Sequence, residues 1–586
     1  MDWRSQTAKE ERYVKIVRII AVVSLLLIAG CASPEPEPLP TYTPYPTLAP
    51  LPTYTPVPTP TEPSPTNTQA LPTSISVPTS TSVPTNTPVP PTSTTIPTET
   101  AAPPTVAPPT PTSGPVGLSR SNPYPPDEMA LVPNWSVRVL ETVRGEEAWQ
   151  IIAAANPYND PPPEGMEYLL VKIDAKCTYD DIEQHSMSES DFKLTGDRLV
   201  RYSSGFAAGL EPDLSAQLLS GGETEGWVAF LVGQGEGSLI LIVDEFANWD
   251  DDRLRFIALE GGTSIQVSPE LQGIEPTYTE LSRSMPVPLG DTVATEDWEI
   301  TVLEVVKGDE AWAMVKDANQ FNDPPKEGMQ YVAIRVCARY IGTEDEPESI
   351  DDFFFNVTGD GNVVYPVPYV INPWPALDVY LYPGGECEGW VVEQAAQGEA
   401  NLMAVFEPTW SFKDTEKRFL ALEEGASIAI PSELAGIEAT TIGRDLRSPA
   451  QFGETVTLED WQVTLLDVVR GNEAWQMAQE ANQFNDPPEE GMEYLAVKVH
   501  VRYVGAEDES VHIDAFAFTT TGSAKTIHDL PSVVEPEPAF GAELFPGGEH
   551  EGWAILQIGT DETGLIAIFE PLWSFGSESR FLSLEP

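Results

Sequence analysis

Residues 491–503 read GMEYLAVKVHVRY, and from Leu495 the apolar side chains Leu495, Val497, Val499, Val501 and Tyr503 alternate with Ala496, Lys498, His500 and Arg502. A period of two over that length marks a β-strand with one buried face. The EGM that introduces it, at Gly491, stands also at Gly328 and Gly165, in steps of 163 residues. The same step joins Trp135, Trp298 and Trp461, then Trp149, Trp312 and Trp475 in EAW, and then Trp227, Trp390 and Trp553 in EGW. One register held over so long a stretch means one domain type, present three times.

Working outward, WSVRVLETV, WEITVLEVV and WQVTLLDVV precede that strand as further strand candidates. DFKLTG, FFFNVTG or FAFTTTG, the apolar run after EGW, and pairs such as GLIAIFEP and RFLSLEP follow it. Several short strands between Gly and Pro turns predict an all-β chain of antiparallel sandwiches. One insertion breaks the pattern in each copy: GEEAWQIIAAAN, GDEAWAMVKDAN or GNEAWQMAQEAN. Early acids, central alanines and a terminal Asn156, Asn319 or Asn482 predict a short helix, with the EAW tryptophan as the plug that fixes it to the sandwich. The following NDPPPEGM, NDPPKEGM and NDPPEEGM must end the helix and turn the chain.

The copies set the domain limits at 117–279, 280–440 and 441–586, with LSRS at Leu118 and Leu281 and DLRS at Asp445 near their entrances. SPELQGIEPT and PSELAGIEAT lie between copies as connectors. Ahead of them, residues 32–116 are dominated by Pro, Thr and Ser, a composition that builds no packed core and predicts a disordered stalk. At about 3.1 Å per residue such a stalk reaches on the order of 260 Å. Residues 1–31 read as an export signal: Arg4, Lys9, Arg12, Lys15 and Arg18 precede the apolar run from Ile19 to Ile28, too short for a comfortable membrane span. Ile28-Ala29-Gly30-Cys31 resembles a bacterial lipobox. By that resemblance Cys31 carries diacylglycerol, anchors the chain to a membrane and leaves the modules extracytoplasmic.

The formal charge is -60, nearly all of it on residues 117–586. Such a surface repels phosphate backbones and argues against nucleic acid as a partner. It is a solubilising surface, or one that draws divalent cations or a basic protein.

A tryptophan in the first long strand, a P-x-x-G-M-x-Y turn into the alternating strand, and LLSGGETEGW, LYPGGECEGW or LFPGGEHEGW later in each copy stand in a fixed order. That succession resembles bacterial lipoprotein modules grouped as a domain of unknown function, akin to the mycobacterial secreted immunoprotective antigen. The resemblance covers all three copies and implies an immunoglobulin-like sandwich. It carries no activity, cofactor or catalytic residue.

Cys337 and Cys387 fall in register with His500 and His550, and with Asp174 and Thr224. Joint replacement suggests neighbouring positions on one outward face, so a Cys337–Cys387 disulfide is expected in an oxidising compartment, with two free thiols as the alternative. His500 and His550 are metal candidates beside Glu549 and Glu551, although a closed zinc site wants four ligands and a solvated cross-strand pair accounts for them too. Cys177, in register with Tyr340 and Tyr503, is expected as a buried thiol. Asp160, Asp323 and Asp486 are candidates for weak divalent cation binding, against a plain role in Asp-Pro turns. Tyr158, Phe321 and Phe484 before the NDPP turns, with Trp410 and Trp573 in EPTWSF and EPLWSF, are candidates to stack on a glycan or anchor a protein, unless they are core residues.

No histidine is shared by the three copies, and no H-E-x-x-H or Gly-rich phosphate loop occurs, so no repeated catalytic machine is written here. The expectation is a membrane-anchored envelope protein that binds or adheres without catalysis. Against it stand a structural spacer or surface coat with no ligand, and an enzyme whose site is confined to the third copy.

Overall fold

The computed structural model describes residues 115–205, 207–244, 253–278, 281–408, 416–458, 460–571 and 579–585. The expected signal peptide, Cys31 and most of the stalk lie outside the described residues. Every pairing between named strands is antiparallel.

The alternating strand of the third repeat runs from Met492 to Tyr503, between Trp461–Arg470 and Glu549–Gly559. Leu495, Val497, Val499, Val501 and Tyr503 all enter one core with Phe518, Ala567, Phe569 and Leu582 of the facing sheet. On the other face Lys498 pairs with Glu551 and Arg502 with Glu549. Two packed antiparallel sheets make this a β-sandwich, and the arrangement recurs around Met166–Cys177 and Met329–Tyr340, each with its own core.

The predicted helix is present each time, at Glu146–Ala155, Asp309–Ala318 and Asn472–Ala481. It starts from Gly145, Gly308 and Gly471, whose φ of 68, 67 and 70° suits glycine. The helix caps the outer face of the four-stranded sheet through Ala148 and Ile152, which are buried with Tyr168, Leu170 and Ala229. The small alanine at the contact lets the axis come close, so the plug is this alanine and its partner a turn later. The EAW tryptophan lies at the flank, where Trp149 stacks on Tyr168 at 5.9 Å. The glycine of EGW has a separate cause. A Cβ on Gly226, Gly389 or Gly552 would lie 2.2, 2.5 or 2.4 Å from backbone of the strap that crosses over it.

The repeats are not beads on a string. Strand Val200–Ser203 of the first pairs with Val379–Leu381 of the second, and Val363–Tyr365 of the second with Gly541–Leu544 of the third, giving two six-stranded sheets that each run across a junction. The connectors are ordered, with 3-10 turns at Pro269–Gly273 and Ser432–Gly436 that bury Leu271 and Leu434. Arg120 crosses the first junction to Asp345 with Nε 2.9 Å from the carboxylate. Arg283 makes the same bond to Asp508 across the second at 2.7 Å.

Candidate functional site

The helix of each repeat ends in an Asn whose side chain shapes the loop after it. Asn156, Asn319 and Asn482 each accept, through Oδ1, the backbone N–H of the residue two positions on, at 3.0 Å. That residue is Tyr158, Phe321 or Phe484. The next residue, Asn159, Asn322 or Asn485, works as a clamp. Its amide donates back to the helix carbonyl of Ile152, Val315 or Ala478. It also bridges to a second loop by donating to and accepting from the backbone of Ala208, Ile371 or Val534. Finally the hydroxyl of Tyr168, Tyr331 or Tyr494 donates to the carbonyl of Asp160, Asp323 or Asp486.

These bonds fix the loop on every side except the aromatic ring. Tyr158 is 90 % exposed, and Phe321 and Phe484 are 82 % exposed. The rings are therefore held outward by a preorganised turn rather than packed in the core. Ile371 and Val534, on the clamped neighbouring loop, are exposed as well, so the second and third sites each present two apolar side chains to solvent. An aromatic of this kind offers about 150–250 Å² to a partner with little entropy left to lose. Trp410 and Trp573 lie outside the described residues.

The Asp residues of these loops contribute backbone carbonyls. Among the described residues no group of three or more His, Cys, Asp or Glu side chains is arranged to hold a metal ion. Burial first, and then the adjacent Asp, pushes up the Tyr168, Tyr331 and Tyr494 phenols, which stay neutral donors.

The expected Cys337–Cys387 disulfide is not formed: both thiols are free. Cys337 stands opposite Glu388 and Cys387 opposite Ala338. This one-residue offset sends the two side chains to opposite faces, with Cys387 against the core. Burial pushes their thiols up to about 11 and about 12, so neither is a thiolate. His500 and His550 are separated in the same way and do not converge on a metal. His500 lies 3.2 Å from Glu549, whereas the His550 ring nitrogen lies 2.9 Å from the Ala539 carbonyl under the strap. Cys177 is a buried thiol packed in the first core, as expected.

A cavity of about 520 Å³ opens where the second and third repeats meet, lined in part by Lys326, Tyr365, His512, Glu543 and His550. Its histidines face Asp514 and the Ala539 carbonyl, while the Ser510 hydroxyl near it donates to Glu543. No histidine here is bonded to a hydroxyl or thiol.

Sequence reasoning missed the clamp asparagines and the junction arginines. Both were visible as residues kept at the 163-residue step: Asn159, Asn322 and Asn485 in all three copies, and Arg120 with Arg283 or Asp345 with Asp508 in two.

No known protein family and no curated protein matches the chain. Among solved structures it is similar to the yjhA protein of Bacillus subtilis, at 12 % identity over 23 % of this chain and 99 % of that one, with a TM-score of 0.18. It is also similar to a lipoprotein candidate, ycdA, of the same organism, at 13 % identity over 27 % of this chain and 43 % of that one, TM-score 0.18. A third likeness is to an uncharacterized β-sandwich protein of Clostridium difficile 630, at 12 % identity over 24 % and 96 %, TM-score 0.16.

Proposed function

We propose that this chain is a lipid-anchored, extracytoplasmic envelope protein that binds a glycan or protein partner without catalysis, through the three outward aromatic turns. The observation that carries the reading is the repetition of the same bonded turn around Tyr158, Phe321 and Phe484, each with its ring in solvent. Rings left in solvent on a bonded turn stay available to a partner. Three copies of one turn on one chain convert weak single contacts into avidity. The apolar run before Cys31 supports the anchor, and no helix among the described residues is long and apolar enough to cross a membrane.

The sheets that run across both junctions favour a second reading, a stiff spacer or coat element with no ligand. Thermal unfolding of the full chain against divalent cations and soluble envelope glycans separates the two. A ligand at 100 times its dissociation constant raises stability by about 2.7 kcal/mol. A saturable rise with a glycan that is lost in the Tyr158→Ala, Phe321→Ala, Phe484→Ala triple variant supports binding. Absence of any shift, together with unchanged attachment of the triple variant to isolated envelopes, leaves the spacer.

A further inference from the structure

The two junctions inside the chain are copies of one interface. At the first, the Leu199 carbonyl accepts the Tyr382 N–H at 2.7 Å. The Tyr382 ring is buried on Ile240, Ile242 and Phe256 beneath the Arg120 guanidinium. At the second, the Asn362 carbonyl accepts the Phe545 N–H at 2.9 Å. Phe545 is buried on Met403, Val405 and Phe419 beneath Arg283. Each repeat thus offers a sending face and a receiving face. A heterologous contact of this type has no internal reason to stop at three.

The first repeat keeps a receiving face, the side that bears the aromatic ring and the aspartate at the junctions, and the third keeps a sending face, the side that bears the arginine; both carry aliphatic residues at the places of this lock of ring, arginine and aspartate. Leu219 stands at the place of Tyr382 and Phe545, and is 55 % exposed where they are 1 % and 0 %. Ile182, at the place of Asp345 and Asp508, is 95 % exposed. At the other end Leu446 stands at the place of Arg120 and Arg283. The register is fixed on both sides: Gly443 and Ala450 bond Phe581 as Gly117 and Tyr124 bond Phe256. Lys525, with φ 59°, keeps the left-handed conformation of Leu199 and Asn362, at 62 and 58°, and Ile527 two residues on is exposed. Ile566 and Phe581 are half-buried, whereas their counterparts Ile240, Met403, Phe256 and Phe419 are buried. Among the described residues, strand Ala216–Leu218 pairs on one side alone, with His185–Met187.

Here both members of the ion pair have become aliphatic together, which keeps them complementary to each other. We propose that the receiving face of one chain docks on the sending face of a second copy, so that the chains assemble head to tail. The Leu219 N–H meets the Lys525 carbonyl, its side chain covers Ile566, Ile568 and Phe581, and Ile182 packs on Leu446. The sheet then runs on from chain to chain. The aromatic turns are not part of this contact, so the assembly stands or falls apart from the binding function.

The test is sedimentation of the full chain carrying Cys31→Ser, which leaves no site for an acyl anchor, over a range of concentration up to about 100 µM. The expected result is a concentration-dependent ladder of dimers and longer species that strengthens with salt, since screening relieves repulsion between two strongly acidic chains. Leu219→Arg and Leu446→Glu alter exposed side chains, and each is expected to weaken self-association at least about 100-fold. Mixed together, the two variants are expected to recover one-to-one dimers that neither forms alone, because each keeps one intact face. A chain that stays monomeric throughout, a ladder that persists in Leu219→Arg, or a mixture with no dimer overturns the proposal.

Discussion

Arg283→Ala is the sharpest perturbation of the way the repeats are joined. The Arg283 side chain is wholly buried and Asp508 is 17 % exposed. The guanidinium donates to Asp508 at 2.7 Å and to Asn362 Oδ1 at 2.7 Å, and it covers the Phe545 ring at 3.9 Å. Removing it strands a mostly buried carboxylate that keeps one backbone donor, the Arg283 N–H at 2.8 Å. Breaking a buried pair from one side costs about 3–5 kcal/mol. The double variant Arg283→Ala, Asp508→Ala removes the stranded charge and recovers part of that loss. The expected coupling energy in the cycle is about 2 kcal/mol or more, read from chemical denaturation followed by tryptophan fluorescence. Arg283→Lys keeps the charge but not the fork and falls between. With the lock gone, the third repeat is expected to melt ahead of the second in calorimetry. A coupling below about 0.5 kcal/mol refutes the lock as a stabilising element and reduces it to a surface pair.

Glu393 sits in the second core with no hydrogen-bond partner for either carboxyl oxygen, and burial holds its carboxyl well above the usual range. Phe230 and Leu556 occupy the same position in the other repeats. The folded chain therefore keeps a proton that the unfolded chain releases near pH 4.5, and stability falls as pH rises. Glu393→Leu is expected to stabilise the second repeat at pH 7 by about 1–3 kcal/mol and to flatten that fall; lower stability at pH 7 contradicts the assignment. Glu535 is raised to about 7 by burial, partly opposed by backbone N–H groups of Ile555 and Phe540. Its stabilising contribution is complete below about pH 4.5 and lost as pH passes 7, so Glu535→Gln removes one slope in that window, seen as a melting temperature of the third repeat that drops less between about pH 5 and pH 8 than that of the unaltered chain. Gly552→Ala pushes a methyl to 2.4 Å from the Ala539 carbonyl and is expected to cost about 1–3 kcal/mol, whereas Gly491→Ala meets no atom and loses only its φ of 87°.

The sandwich was legible because period two from Leu495 to Tyr503 is a direct record of one face in the core, and because the 163-residue step repeats it. The helix was legible from early acids, central alanines and the closing asparagine. The face of each cysteine was also there to be read. Cys337 is an odd number of positions from the inward Tyr340, whereas Cys387 is an even number from Val391. Their joint replacement by His500 and His550 pointed to proximity, but proximity across a ladder does not fix the face. Pairing of Val200–Ser203 with Val379–Leu381 was not legible. Edge strands and central strands share one alternation, and the partners lie in different repeats. The exposure of Tyr158, Phe321 and Phe484 depends on asparagine side chains that close the loop from beneath, which composition does not reveal.

Whether the three rings carry attachment is tested with isolated cell envelopes, to which the full chain, the single variants Tyr158→Ala, Phe321→Ala and Phe484→Ala, and the triple variant are bound side by side. Three equivalent sites acting together predict a modest loss for each single change and a loss of about 100-fold when all three rings are removed. Attachment by the triple variant equal to that of the unaltered chain would show that the rings do not bind the envelope.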